Sequence, residues 1–478
     1  MLKQKIPELL EYIGGSWEVL EYNKTIFEIL EGDLLTKCTE ALRGQTVSDR
    51  AFLQAKDRIP PINLIKRLTE KLTQLYAGDV TRTAKLPQYQ AVVDYYEEQF
   101  DLNEKFNQAN LFYNSSKIGM LEPFIKKEEA QLRVLPPHRG LMYSDDKTDD
   151  TEPTIFIKPM GTYSKSIFDE KGNQLDICRD AQYYFAYSDS EFIAFDEDGE
   201  ELKEFMENNL GVNPFECLPV TYINKSDYLL VPIPDKDLLA IQILVVLLLT
   251  DMAFGIKYQA HSVLWTKNAF IENLDLNPDS YINLQSSDGE KDPEIGTVKP
   301  EIDIEATIQF ITTLLDLWLE SKNLKAGSAG NFRADTVASG IALMIKELDT
   351  TLDVKRQMKK FEKGERAFWD MMIKVHNYWV ELGIVQGLPL LPDDFKVSVE
   401  YTLPEPIIDE SKEVDLVLKQ LNKTMTLEIA LKRLYPQKNE DEIKRLIEEL
   451  EKVFTMPLQD EEEDKDAEEH ISDKDKVT

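Results

Sequence analysis

The sequence predicts a mainly helical α+β fold, and three stretches carry that prediction. Between Pro300 and Pro389 no proline interrupts a pattern of helix, flexible break and longer helix. From Arg133 the apolar spacing changes to the alternation expected of strands. Residues 238–256 are almost continuously apolar, as in a helix buried on most of its sides.

Residues 1–132 read as mainly helical. Residues 8–30 mix apolar and acidic side chains around Gly14 and Gly15. Pro60 and Pro61 break the chain. Ile62, Ile65, Leu68, Leu72 and Leu75 then mark an amphipathic helix over 62–76, stopped by Ala77-Gly78. Residues 89–100 and 102–121 add further helix. The runs at 133–138, 154–158, 182–187 and 191–195 are short and rich in aromatic or β-branched residues. Turn residues at 145–146, 170–173 and 196–199 separate them, so a strand-rich insert is predicted over 133–230. Asp196-Glu197-Asp198-Gly199 invites a calcium reading. The EF-hand pattern requires alternating acids and a distal glutamate, so a hairpin turn is predicted instead.

After Pro232 a helix is predicted over 235–261. Its unbroken apolar part is only 243–249, with Gln242 before it and Thr250-Asp251 after it. Such a short run marks a helix buried in a subunit core or between subunits, the alternative being a membrane span. Strand and turn come next, at 263–265, 269–271 and 281–284. Asp303 then caps a helix with Ile304, Ile308, Ile311, Leu315 and Trp318 on one face. Residues 323–335 form a loop whose Gly327 and Gly330 permit unusual backbone angles. The next helix is predicted from about 335 to 379. Ile341, Ile345, Leu348 and Leu352 open its apolar stripe, and Phe368, Met372, Val375 and Trp379 close it. At ~1.5 Å per residue it would span roughly 60 Å, too long for one small core. It should cross between regions or pack against copies of itself.

Gly383 and Gly387 break the chain again, and residues 395–401 alternate as a strand. Helices are predicted at 411–421, 426–434 and 440–453. The last is capped by Asn439 and carries Ile443, Leu446, Ile447 and Leu450 as its stripe. Residues 459–478 lack apolar residues to bury and are predicted to be disordered.

This order of elements, with Ser339-Gly340-Ile341-Ala342-Leu343 opening the long helix, resembles the portal proteins of tailed bacteriophages. The resemblance implies a wing over 1–232, a stem helix over 233–261, a clip over 262–300 and a returning stem helix over 301–324. It then implies a tunnel loop over 325–337, a long helix and strand over 338–403, a helical crown over 404–458 and the acidic tail. It further implies a homo-oligomeric ring of twelve copies at one capsid vertex of the virion, assembled in the host cytoplasm. Double-stranded DNA would pass through the ring during packaging and ejection without its sequence being read. The other implied partners are the terminase large subunit, head-completion or adaptor proteins, and the major capsid and scaffolding proteins. No membrane, cofactor, metal or catalytic role is implied, because the packaging ATPase is a separate chain. Lys325, Asn331 and Arg333 would face the DNA from the tunnel loop, the alternative being a surface loop with ordinary charges. Trp265, Lys267 and Phe270 would meet neighbouring clips or outside partners. Lys355, Arg356, Lys359, Lys360 and Lys363 form a second basic group, which a solvated helix face explains better than a DNA contact.

Composition narrows the alternatives. At 478 residues the chain has room for two to four domains, and 42% hydrophobic content suits a folded soluble protein. Its formal charge is −33, of which −7 falls in the last twenty residues, so the folded body is acidic too. Such a surface does not attract DNA or anionic membranes, whereas a sequence-reading DNA binder would be basic. Cys38, Cys178 and Cys217 are far apart and read as free thiols of a reducing compartment. The first residues lack an apolar signal core, which argues against secretion. His138, His261, His376 and His470 belong to no ligand-spaced set, and no nucleophile elbow or Walker phosphate loop occurs. The rival reading is a soluble helical enzyme holding a phosphorylated ligand at the Gly327–Gly330 loop. A peripheral membrane protein built around 238–256 is a third.

Overall fold

The three largest apolar cores among the described residues organise this part of the chain, and the first helix belongs to two of them. The computed structural model describes residues 2–402 apart from 47, 147–149, 169–173, 207–210, 262, 268, 271–284, 287–293, 299–302 and 323–350, together with 431, 444, 445 and 447. The chain divides after Pro404 into two units, and the described residues fall almost entirely in the first. The predicted helices at 411–421, 426–434 and 440–453, and the acidic tail, therefore lie essentially outside the described residues.

Helix α1 (Leu2–Leu30) passes through Gly14 and Gly15 without a break. Its first half, with Ile6, Leu9 and Ile13, packs under a sheet, while Ile26, Ile29 and Leu30 enter a helical core. Helices α2 (Leu34–Gln45), α3 (Asp49–Lys56) and α4 (Leu64–Leu72) build that helical core. Helix α4 is shorter than the spacing predicted. It closes at Thr73, and Leu75 is buried from the turn beyond it. A strand that periodicity did not signal, β1 (Val80–Ala84), comes next, then α5 (Gln90–Phe100) and α6 (Leu102–Ser116). The predicted helix over 102–121 is thus too long. Lys117 takes a left-handed conformation (φ 65°), its N–H bonds Tyr113 O, and the chain leaves as a strand.

The strand-rich insert begins earlier than predicted, with β2 (Ile118–Lys126) and β3 (Glu129–Leu135). Strands β4 (Leu141–Tyr143), β5 (Ile155–Phe168), β6 (Gln174–Tyr187) and β7 (Phe192–Asp196) form one antiparallel sheet in that order. Strand β8 (Thr221–Asn224) pairs with β2, so the second sheet runs β3-β2-β8. The chain continues through α7 (Lys236–His261), β9 (Val263–Lys267), β10 (Ala269–Phe270), β11 (Gln285–Ser286), β12 (Glu294–Val298) and α8 (Ile304–Ser321). Helix α9 (Thr351–Glu381) and strand β13 (Val397–Tyr401) complete the unit. The predicted start of the long helix, its Ile341–Leu348 stripe and the Ser339 motif lie outside the described residues.

Helix α9 is the axis of the third core. Phe361, Phe368, Met372, Val375 and Trp379 are all fully buried along it, as the spacing predicted for the last four. Gly364 sits where α9 crosses β8, and a Cβ there would come within 2.6 Å of Ile223 Cγ1. The next residue, Glu365, is fully buried and accepts both Nε (2.6 Å) and Nη2 (3.0 Å) of Arg82 on β1. Tyr76 donates to the same carboxylate at 2.8 Å, and Arg82 also reaches Glu97 of α5 and Asn103 of α6. Burial works against the charge on Arg82, but Glu365 outweighs it and holds the guanidinium firmly protonated. Strands β1 and β13 pair antiparallel beside this group, which sets the register Arg82 opposite Val399.

His376, also on α9, is buried and held at both ring nitrogens. Pro389 O can only accept, so Nε2 carries the proton (3.0 Å) and Nδ1 accepts from Tyr96 (2.8 Å). Burial pushes its pKa down. It is a structural histidine. Cys38 and Cys217 are free, as predicted.

Removing one partner of the Arg82–Glu365 pair leaves a buried charge uncompensated, at a cost of about 3–5 kcal/mol. Arg82→Ala should therefore move the urea unfolding midpoint sharply down. Arg82→Met combined with Glu365→Leu should restore most of the loss, and a double variant no better than the single would refute the account.

Candidate functional site

The predicted helix over 235–261, the strands at 263–265 and 269–271 and the following helix are present as α7, β9, β10 and α8, while β11 and β12 were not signalled and the strand predicted at 281–284 lies outside the described residues. Helix α7 contains 22 residues, Lys236–Lys257, that are long and apolar enough to cross a membrane, with mean hydropathy 2.3 and 39% of the window buried. Its polar interruption explains how it is used here. Gln242 is fully buried, and its Oε1 accepts the N–H groups of Leu64 (2.6 Å) and Ile65 (3.1 Å) while its Nε2 donates to Ile62 O (2.8 Å). Those are first-turn donors of α4, which have no partner within their own helix. Asn63 adds a cap at Lys66 N. One glutamine of α7 thus closes the open end of α4. Val245, Val246, Leu247 and Leu249 pack into the same helical core as Ile311, Leu315 and Leu319 of α8.

The two helices are tied at their base. The Trp318 indole donates to Asp237 (2.8 Å), and Lys322 Nζ lies 2.9 Å from Asp237 and 3.2 Å from Asp235. Lys117, the left-handed cap of α6, reaches Asp235 at 2.7 Å and donates to Ile233 O at 2.8 Å. Half-burial pushes the Asp235 carboxyl upward, but Lys117 and Lys322 outweigh it and hold it below the usual range. The Asp303 cap predicted for α8 is made, with Oδ1 accepting Ala306 N at 2.9 Å.

Of the predicted contact residues, Lys267 is exposed and lies 3.4 Å from Glu294 across the β9–β12 pair. Trp265 and Phe270 stand on β9 and β10, and their side chains are not described. Lys325, Asn331 and Arg333, with the rival phosphate loop at Gly327–Gly330, lie outside the described residues. The second basic group divides as its helix face requires. Lys360 is taken by Asp227, while Lys355, Arg356, Lys359 and Lys363 are exposed on α9. The turn at Asp196–Gly199 is occupied by side chains. Lys165 Nζ lies 2.6 Å from Asp196, 2.6 Å from Asp198 and 2.8 Å from Glu200, with Arg179 beside Asp198. The cation between these acids is an ammonium group.

Outside the cores, α8 keeps an apolar face uncovered. Phe310 (55% exposed) and Leu317 (61%) are two turns apart and lie opposite Ile311, Leu315 and Leu319. Leu244 of α7 is exposed as well. Periodicity found the buried stripe and gave no signal for the Gln242 cap or the Asp235–Asp237 anchor. Their partners lie between 81 and 180 residues away in sequence, on other elements.

A family model described as phage portal protein, SPP1 Gp6-like, matches residues 103–454. No curated protein matches the chain. The matched span takes in α7, the β insert, α8 and α9.

Gln242→Leu should leave the α4 donors unsatisfied in a dry core, at a cost of about 1–3 kcal/mol. Hydrogen exchange at the Leu64 and Ile65 amides should quicken while α9 stays protected. Unchanged exchange at those two amides would show that the cap is dispensable.

Proposed function

We propose a function from one premise: the chain belongs to the phage portal protein family, SPP1 Gp6-like. Members of this family are structural components of the virion capsid rather than enzymes, so the question becomes how this chain builds such a component. In our reading, copies close into a ring at one capsid vertex, assembled in the host cytoplasm. Double-stranded DNA passes through it during packaging by terminase and again at ejection. Twelve copies is the number the resemblance implies.

The observation that carries this reading beyond the family match is the α7–α8 pair. Its inner face is buried within one chain, while Phe310, Leu317 and Leu244 face outward. Large apolar side chains left exposed on an anchored helix pair suit burial against a second copy. The β insert at the far end of the pair would serve as the clip, where terminase and later adaptor proteins dock, with Trp265, Lys267 and Phe270 as contacts. Capsid and scaffolding proteins would meet the outer parts of the chain. The segment joining α8 to α9 would face the channel, with Lys325, Asn331 and Arg333 toward DNA.

The acidic body suits a conduit. Phosphate–cation contacts dominate affinity for DNA, so a densely basic wall would hold it. A wall with net negative charge and few cations lets DNA slide. The enzyme rival rests on the Gly327–Gly330 loop, which lies outside the described residues, and nucleotide-dependent thermal stabilisation of the chain would favour it.

The purified chain should run at about a dozen times 55.1 kDa and form rings with a central hole in negative stain. Phe310→Asp with Leu317→Asp, both at exposed positions, should abolish rings and leave a folded smaller species. Rings unaffected by that pair would remove the α8 face from assembly. Separately, Lys325→Ala with Arg333→Ala should leave rings intact and lower the amount of DNA packaged. Unchanged packaging would take these cations out of the mechanism.

A further inference from the structure

A cleft of about 470 Å³ lies where α1, β3, β5 and β6 meet, far in sequence from the stem and tunnel segments. Its charge runs against that of the chain. Lys24, Arg133, Arg139 and Lys158 line it with only Glu21 as a lining carboxylate, in a protein of formal charge −33. Two of these cations are already engaged. Lys158 is buried against Glu122 (2.8 Å), and Arg133 shares that carboxylate at 2.6 Å. Lys24 and Arg139 are exposed and form no ion pair among the described residues. His138, between them, has its Nδ1 buried without a hydrogen-bond partner. Burial pushes its imidazole down to about 4, the charges of Arg139 and Lys24 push it the same way, and Glu28 opposes them more weakly. The wall beside this rim is apolar and partly open, with Trp17 (43% exposed) and Met160 (37%) next to Leu20 and Val134.

We propose that this cleft docks an acidic peptide segment of a partner protein, its carboxylates on the Lys24–Arg139 rim and an aliphatic side chain beside Trp17 and Met160. Charge alone would accept any anion. A free phosphate leaves this wall uncovered, whereas a peptide with an aliphatic residue beside its carboxylates would cover Leu20, Val134 and Met160 together with the rings of Trp17, Tyr183 and Tyr184. The two loose cations are the groups that an entering carboxylate would pair with, and the buried His138 ring beside them would sense the added negative charge. The proposal goes beyond the portal reading and uses none of the ring-forming residues.

The test uses the full chain and a short fluorescent peptide of repeating Glu-Glu-Leu, monitored by anisotropy. Saturable binding is expected, together with a rise in the His138 pKa seen by NMR on adding peptide. Lys24→Glu with Arg139→Glu, both exposed and unpaired, should weaken binding on the order of tenfold for each lost charged contact, with ring formation unchanged. Trp17→Ala should weaken it less. Equal binding of a Gln-Gln-Leu peptide, or equal binding to the charge-reversed variant, would overturn the proposal. Displacement of the peptide by ATP or inorganic phosphate at lower concentration would also overturn it, in favour of a small-anion site.

Discussion

A guanidinium and a carboxylate that never meet water hold the long helix to the rest of the chain. Taking two such charges out of water costs several kcal/mol each, and attraction offsets that only when geometry and hydrogen bonding are nearly complete. Here they are. Arg82 and Glu365 meet through two parallel bonds, Tyr76 fills a further lone pair, and Glu97 and Asn103 take the remaining guanidinium edge. The group therefore ties β1, α5, α6 and α9 together, and any rotation of α9 would strand a buried charge. Gly364 completes the arrangement by letting α9 approach β8 closely enough to present Glu365 at that depth.

The α7–α8 pair is held by a different logic. Its helices are apolar on more than their inner side, so packing alone would leave their direction poorly specified. Polar groups supply the direction. Gln242 fixes α7 against the start of α4, and Asp235 and Asp237 gather Lys117, Trp318 and Lys322 at the base. With these contacts in place the uncovered Phe310 and Leu317 are presented on an element anchored at its base, as the assembly surface we propose would require.

What could be read from the sequence was whatever depends on neighbours in the chain. The Asp303 cap, the Phe368–Trp379 stripe, the breaks at Gly383 and Gly387 and the strand predicted at 395–401, which forms over Val397–Tyr401, each arise from residues within a few positions. Long-range pairing was not legible. Strand β1 is a five-residue run whose polar side chains hide its alternation, and its partner lies more than 300 residues on. The helix predicted over 102–121 ran too far because Lys117 is an unusual left-handed cap, where glycine would have announced the stop. The turn at Asp196–Gly199 was legible as a hairpin, but the cation among its acids was not, because Lys165 belongs to another strand. Similarly, Gln242 looked like an interruption of an apolar run, since its partners Leu64 and Ile65 are 178 and 177 residues away.

These anchors bear on the segment between α8 and α9. It leaves from Lys322, which is clamped by Asp235 and Asp237, and returns to a helix whose Gln357 is buried among Asn110, Asn114 and Asp353. Both ends are thus fixed by polar contacts within the same unit. Helices α8 and α9 therefore keep their places in the unit through contacts of their own, independently of the residues that join them. In the ring we propose, Phe310 and Leu317 would be presented by an element that its own chain already holds in position.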